Sequence, residues 1–516
     1  MTSGLHHVTL ITRKVQANVD FYAGFLGLRL VKRTGGYEDA RQLHLFYGDG
    51  HGSPGSLVTF LVWEDGSPGR AGHGQVSEIA LAVAPAAIGF WLERALRFGI
   101  ATEGPRQEFG ETVLRLRDPD GFAVKLVGSA LSGEGWEAAG IPPEHRIHRL
   151  RGVTLLSATT EETIHFLVTH AGFARQAREG ATERLRSEAG DSLDIRDAGG
   201  FWPGIPGTGT ADHVAVRVAD AAGLSGIERD LKKRNSSPTT LHDRHYFISL
   251  YVREPGGTLI EFATDGPGFA VDEPVETLGT RLFVPPDAQG ESDDIRIVLP
   301  QFALPGEERV IYRDLPFVHR FQQPSDADGS VIVLLHGSGG NETDLMPFAR
   351  QVAPRATLLG LRGRSTEEGT SRWFRRRSER AFDQDDIRFE AGALAAFMAE
   401  ARTAYALAPE RIAFLGYSNG ANLLAAAMQL HPELARRAVL LRPAAVLEEP
   451  PAAGLTGVSL LMLTGAEDPY RDLAAPLEAA LRRAGAEVEA QVVPAGHALT
   501  DEDRDLAAGW LSRHAS

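Results

Sequence analysis

Cysteine occurs nowhere in the chain, which removes disulfides, thiolate nucleophiles and sulfur-ligated zinc or iron–sulfur centres at once. Any metal must then be held by histidine and carboxylate. Positive charge is also short: 53 Lys and Arg stand against 68 Asp and Glu, a formal net charge of −15. The only dense basic stretch is RWFRRRSER, 372–380. Such a surface repels a phosphate backbone, so nucleic acid is not an expected partner. No apolar run reaches bilayer-spanning length, and MTSGLHHVTLIT enters a strand pattern at once, without the basic and apolar regions of a secretory leader. A cytoplasmic chain with no membrane partner is the expectation.

What is present is ordinary for folded domains: 43% hydrophobic, 23% charged and 8% aromatic residues, which argues against disorder, collagen or coiled coil. At 516 residues the chain is too long for one core and suits several units of about 150 residues. One pattern, a strand, a helix and three more strands, recurs about four times before residue 270. LHHVTLIT, QANVDFYAGFLG and LVTFLVW mark the first copy; SEIALAV, AIGFWLERALRFG, ETVLRLRD and FAVKLV the second. RGVTLLSAT and EETIHFLVTHAGF open the third, and HVAVRVAD, LSGIERDLKKR, YFISLYVRE and TLIEFAT form the fourth. Period-two strands alternate with helices of three-to-four spacing. The domain reading is 1–135 for modules one and two, 145–270 for modules three and four, 271–307 as a Pro-, Gly- and acid-rich tail and linker, and 308–516 as a separate domain. In that last part VIVLLHGSGG, RIAFLGYSNG and VSLLMLTGAEDPY are near-continuous apolar strands between Ala/Leu-rich helices, the signature of a parallel sheet covered on both faces.

Two segments carry opposite charges on one scaffold. EPGGTLIEF, 254–262, has an upstream counterpart in DPDGFAVKL, 118–126, with Lys125 where the later copy has Glu261. Alternation sends Val8 and Leu10 to one face of LHHVTLIT and His7, Thr9 and Ile11 to the other. His213 repeats the position of His7, since Val214, Val216 and Val218 share the face opposite to it. Ser249, Tyr251 and Arg253 likewise lie opposite Ile248, Leu250 and Val252, so one side of each strand set is polar.

With HHVTLIT, HVAVRV and RHYFISLYVREPGGTLIEFATDGPGF in that order, residues 3–300 resemble the vicinal oxygen chelate superfamily of glyoxalases and extradiol dioxygenases, and within it the ring-cleaving dioxygenases of hydroquinones. The resemblance implies four βαβββ modules whose first and last strands lie side by side and curl into a cup. It also implies His7, His213 and Glu261 as metal ligands, Fe(II) or Mn(II) as the ion, O2 as co-substrate, and Tyr251, Arg244 and His6 near the substrate, His6 despite an alternation that points it away. Two imidazoles and a carboxylate on one face of an ion leave open positions for a phenolate and O2. Lys125 marks a module that binds no metal, and Gly152, following Arg151, leaves the third without a ligand. Asp212 departs from the family, where many relatives carry a second histidine. The superfamily also contains isomerases, lyases, thiol transferases and aromatic-sequestering proteins, so a non-oxygenase cup remains the alternative.

Gly416-Tyr417-Ser418-Asn419-Gly420 sits between a strand and a helix, the setting of a nucleophile elbow. His336-Gly337-Ser338-Gly339-Gly340 ends a strand with glycines that let amides approach an oxyanion, the donors being those near Ser338 and of Asn419. Asp468 follows a third strand and His497 lies in a late loop, completing the order Ser, Asp, His. Residues 308–516 are similar to the small carboxylesterase and phospholipase family that includes acyl-protein thioesterases, an α/β-hydrolase. RWFRRRSER either caps this cleft or forms a solvated helix face, the second being preferred. The combined expectation is a ring-cleaving dioxygenase fused to a serine ester hydrolase, taking a small aromatic and a small ester or thioester, with homo-oligomer formation open.

Overall fold

The computed structural model describes residues 2–131, 133–234, 236–307, 315–367, 369–378 and 380–514, without the side chains of 2 and 3. Its contacts divide the chain into two units, residues 1–295 with 299–310, and residues 296–298 with 311–516. The expected start of the second domain, 308, lies outside the described residues.

In the first unit the alternation of the strands decides the architecture. Along Thr2–Thr12, Val8 and Leu10 enter the main hydrophobic core while His7 and Thr9 line a cavity on the other face. Each module contributes a helix that covers its sheet: Ile88, Trp91 and Ala95 of Ile88–Arg97 are buried at helical spacing, and Trp91 Nε1 donates to the His145 carbonyl at 3.0 Å. Removing that indole costs about 3–5 kcal/mol on the scale of large-to-small core changes.

The nine-stranded sheet runs His242–Asp243, Ile248–Arg253, Leu259–Thr264, Ala211–Val218, Thr2–Thr12, Leu57–Val62, Leu43–Gly48, Arg29–Gly35, Leu282–Phe283. The eight-stranded sheet runs Ala174–Glu179, Thr182–Arg186, Ser192–Asp197, Arg149–Ser157, Gln75–Val83, Ala123–Gly128, Glu111–Arg117, Thr102–Glu108. Module one therefore joins module four, and module two joins module three. This corrects the division into 1–135 and 145–270: the opening strands pair antiparallel across modules, Thr2–Thr12 with Ala211–Val218 and Gln75–Val83 with Arg149–Ser157. Within each module the first and last strands lie side by side and parallel, as in Ala211–Val218 with Leu259–Thr264.

The stretch 271–307 is not a loose tail. Leu282–Phe283 extends the nine-stranded sheet beside Arg29–Gly35, and buried Glu273 accepts from Lys32 Nζ at 2.7 Å. A short helix, Ser292–Val298, follows. Its Pro and acid content reflects turns and a buried ion pair rather than absence of structure.

The second unit is built on a seven-stranded sheet, ordered His319–Gln322, Thr357–Leu361, Val331–Leu335, Ile412–Tyr417, Arg437–Leu441, Ser459–Gly465, Glu487–Val493. Only the first pair is antiparallel. Alternate residues of the central strands enter two separate cores, Val331, Val333 and Leu335 in one, Ile332 and Leu334 in the other. Burial on both faces explains the continuous apolar runs. Two helix starts carry side-chain caps: Asp383 accepts from the amide of Asp386, and Thr500 and Asp503 form a reciprocal capping box.

Candidate metal centre and candidate active site

Strand register brings three distant side chains to one point. Thr9 lies opposite His213, His7 opposite Ala215, and Ala215 beside Glu261. His7 Nε2 is 3.2 Å and His213 Nε2 2.8 Å from Glu261 Oε2, and the two Nε2 atoms are 3.1 Å apart. All three residues are buried. His213 Nδ1–H donates to Asp212 Oδ2 at 2.7 Å, the His7 and His6 Nδ1 atoms share a hydrogen bond of 2.9 Å, and Ser249 Oγ–H donates to Glu261 Oε1 at 2.5 Å. Both Nε2 atoms and one carboxylate oxygen thus converge on a single point. That convergence fits a cation: burial opposes charge on His213, yet Glu261 and Asp212 outweigh it and push its pKa up to about 9, while His7 and His213 hold Glu261 well below the usual carboxylate range against the same burial. The N,N,O donor set suits a divalent transition-metal ion.

The point opens into a cavity of about 440 Å³, within the ~300–1,000 Å³ span of small-molecule sites. Phe46, Leu61, Phe247 and Leu259 give it apolar walls, and Arg244 and Tyr251 line it too. The Arg244 guanidinium lies 5.6 Å from the Tyr251 ring centre and 3.0 Å from Glu38. His6 does not line the cavity; its ring packs on Phe247 and His7 instead. Strand alternation already turns it from the face of His7, and a register shift between Leu5 and His7, a bulge, goes with the contact between the two adjacent rings. Burial and His7 push His6 down to about 3, so it supports His7 as a neutral ring.

Two side chains, His44 and Thr59, had no signal beyond their residue type, while Thr9 shares the His7 face by alternation. His44 bonds Thr59 at 3.1 Å, Thr59 bonds Thr9 at 2.8 Å, and Thr9 reaches His213 Nε2 at 2.8 Å. Only the strand pairing, unreadable from one sequence, lines them up.

In the second unit Ser418 sits between Ile412–Tyr417 and Asn419–Leu430 with φ of 51°. A side chain at 416 or 420 would strike backbone, the Gly420 position lying 2.2 Å from the Leu335 carbonyl, which is why glycine brackets the turn. Ser418 Oγ–H donates to His497 Nε2 at 2.9 Å, and His497 Nδ1–H to Asp468 Oδ2 at 2.9 Å. Ser338 and Asn419 border the same cleft, of about 340 Å³. The Asn419 carboxamide accepts from the Trp373 amide at 2.8 Å, and the Ser338 hydroxyl from Arg372 at 3.0 Å. The preferred helix reading of 372–380 is corrected: the segment holds the strands Thr370–Arg372 and Arg376–Ser378, with Arg372 and Arg376 facing the cleft. Its Arg and Ser run has no apolar period to bury a helix face.

Arg442 escaped the sequence reading. It is buried, makes two bonds of 2.7 and 2.8 Å to buried Asp503, and donates to the carbonyls of Gly496 and Ala498 on either side of His497. Tyr417 donates to the His497 carbonyl at 3.0 Å. These contacts fix the loop that carries the imidazole.

Comparison with known proteins agrees with both geometries. The family model of the Glyoxalase/Bleomycin resistance protein/Dioxygenase superfamily matches residues 4–126. A putative ring-cleaving dioxygenase of Bacillus subtilis, MhqO, is 36% identical over 55% of this chain and 91% of its own length. A chlorohydroquinone/hydroquinone 1,2-dioxygenase of Sphingobium indicum is 31% identical over 57% of this chain and 94% of its own. The putative hydrolase MhqD of Bacillus subtilis is 33% identical over 35% of this chain and 92% of its own. Among the described residues no helix is long and apolar enough to cross a membrane. Over its first unit the chain belongs to the ring-cleaving dioxygenases of the glyoxalase/bleomycin resistance protein/dioxygenase superfamily, and over its second to the α/β-hydrolases.

Proposed function

We propose that the chain is a bifunctional enzyme: a metal-dependent dioxygenase that opens hydroquinone- or catechol-like rings, joined to a serine ester or thioester hydrolase. The observation that carries the first half is the convergence of His7, His213 and Glu261 at the floor of an aromatic-walled cavity. His7, His213 and Glu261 would hold an Fe(II) or Mn(II) ion, which would supply the activation of an aromatic diol and O2. The chain's own residues do the rest. Asp212 holds His213 in the tautomer that presents Nε2, and His6 does the same for His7. Phe46 and Phe247 offer apolar walls to an aromatic ring and exclude water, and Arg244 beside Tyr251 favours the ionised form of a phenol. In the second unit Ser418 attacks an acyl carbon, His497 takes and returns the proton, Asp468 orients the imidazole, and the amides of Ser338 and Asn419 receive the oxyanion.

Elemental analysis of anaerobically purified protein, followed by an oxygen electrode with hydroquinones and catechols, tests the first half. The expected result is bound iron or manganese with substrate-dependent O2 uptake; a loaded protein that isomerises or binds aromatics without consuming O2 would refute it. A fluorophosphonate probe should label Ser418, and Ser418→Ala should abolish labelling.

A further inference from the structure

The triad chemistry leaves two cations unused. Arg372 and Arg376 border the cleft that holds Ser418 and His497. Arg372 is fixed there, donating to Ser338 Oγ at 3.0 Å with Glu367 at 3.7 Å, while Arg376 is exposed. The other walls include Phe374, Phe382 and Leu473. A mixed cleft with apolar walls at Phe374, Phe382 and Leu473 and guanidinium groups beside them suits a short carbon chain that ends in a carboxylate.

The first unit, on the function proposed above, makes such a chain. Adding O2 across the bond between a hydroxyl-bearing ring carbon and its neighbour turns the first into a carboxylic acid and the second into an aldehyde or ketone. In a hydroquinone the para hydroxyl is then the enol of a ketone one carbon removed from that new carbonyl. The product is a carboxylate-bearing 1,3-dicarbonyl. It contains no ester, and the bond in it open to a Ser-His-Asp hydrolase is the carbon–carbon bond between the two carbonyls.

We propose that the second unit consumes this ring-opened acid by hydrolysing that bond, with Arg372 and Arg376 reading the carboxylate. The inference rests on the function proposed above for both units. Ser418 Oγ, giving its proton to His497, adds to the outer carbonyl. Collapse of the oxyanion expels the inner fragment as an enolate, which takes the proton from His497 and leaves as a ketone. Water, deprotonated by His497, then releases the acyl group from Ser418 as a carboxylic acid. The sum is dicarbonyl plus water to ketone plus acid, with no redox change.

The full chain can be tested with 4,6-dioxoheptanoate, a saturated analogue of the ring-opened product of a methylhydroquinone, alongside neutral pentane-2,4-dione and p-nitrophenyl acetate. Loss of enol absorbance with release of acetate and 4-oxopentanoate, absent in Ser418→Ala, is expected. The ratio of kcat/KM for the acid to that for pentane-2,4-dione should fall about tenfold in Arg376→Gln, mainly through KM, and recover in part in Arg376→Lys. Because Arg376 is exposed, the substitution leaves the core untouched. Ser418-dependent hydrolysis of p-nitrophenyl acetate with 4,6-dioxoheptanoate left intact overturns the proposal while the hydrolase assignment stands. A ratio unchanged in both Arg376→Gln and Arg372→Gln overturns the carboxylate recognition. Failure on all three compounds sinks the hydrolase assignment and this inference with it, and cleavage of the diketone by a loaded protein that takes up no O2 overturns the link to the first unit.

Discussion

The first unit holds two cups of the same register, and among the described residues only one gathers a His, His and Glu group that could hold a metal ion. Where the nine-stranded sheet has His213 opposite Thr9, the eight-stranded sheet has Glu78 opposite Thr154; where it has Glu261 beside Ala215, the other has Lys125 beside Ala80; and Gly152 stands at the place of His7. Tyr251, paired with Glu261, is matched by Arg115, paired with Lys125. The second cup is filled by its own charges. Lys125 lies 3.0 Å from Glu78, Arg115 2.8 Å from Glu78 and 2.5 Å from Glu108, Arg151 2.7 Å from Glu111, and Arg184 2.7 Å from Asp194. Four cations face four carboxylates, so the buried charge closes without an ion. Among the described residues no Lys or Arg pairs with Glu261 in the first cup, where His7 and His213 face it instead, and on the proposed function an ion takes that place.

The comparison breaks most completely at Glu261. Glu261→Gln removes the anionic ligand, and the metal content should fall from about one ion per chain to background in elemental analysis, with O2 uptake lost. An ion content of about two in the wild-type chain would sink the assignment of the second cup as closed. Writing the ligands into the second cup should fail, because a side chain at 152 meets Ser192 Oγ at 2.5 Å and its carbonyl at 2.6 Å. Glu78→His, Gly152→His and Lys125→Glu together are therefore expected to gain no second ion. Next in size is Lys125→Met, which leaves a buried carboxylate excess and should cost about 3 kcal/mol in denaturant titration of the first unit, the low end for a broken buried pair because Arg115 still faces Glu78. Adding Glu78→Gln should recover part of the loss, a coupling that a double-mutant cycle reads directly.

How much of this contrast could be read from the chain alone follows from which physics is local. The Lys125 and Glu261 opposition is visible as two aligned segments, because the turn Asp118-Pro-Asp-Gly and the turn Glu254-Pro-Gly-Gly fix the same register after them. The ligand at His213 follows from alternation and resemblance together. Ser418, Asp468 and His497 were legible because each ends a strand or lies in a loop that follows one. What strand alternation misses is pairing between distant modules: it gives no partner for Glu78, no chain from His44 to His213, and no reason for Arg442 to meet Asp503. His6 was placed near the substrate by the resemblance, against a strand alternation that already turned it from the cavity, and the Arg-rich 372–380 segment was read as a helix because its strands bury almost nothing to set a period.

Asp212 sharpens the comparison at the ligands themselves. Its carboxylate fixes the Nδ1–H of His213 at 2.7 Å, where the second cup has Ser77 before Glu78 and no imidazole to orient. Asp212→Asn keeps a hydrogen-bond acceptor but removes the charge that strengthens the ligand. Metal affinity measured by competition with a chelator should weaken about 10- to 100-fold; an unchanged affinity would show that the second-row carboxylate does nothing for the ion.

The smallest expected effect belongs to pH acting on the closed cup. Burial alone would raise the Glu78 pKa, but Lys125 and Arg115 outweigh it and bring the group down from 4.5 to about 2. A depressed folded-state pKa means stability that is fully present above the unfolded value and is lost as pH falls through the folded one, so the window lies between about pH 4.5 and 2. Comparing the wild type with Glu78→Gln isolates the contribution: the wild type should lose on the order of 1 kcal/mol more than the variant on going from pH 5 to pH 3, after allowance for the cup's partial exposure. A parallel decline in both proteins would mean that Glu78 is not held by its cations, and the second cup would then need another source for the charge balance that keeps it closed.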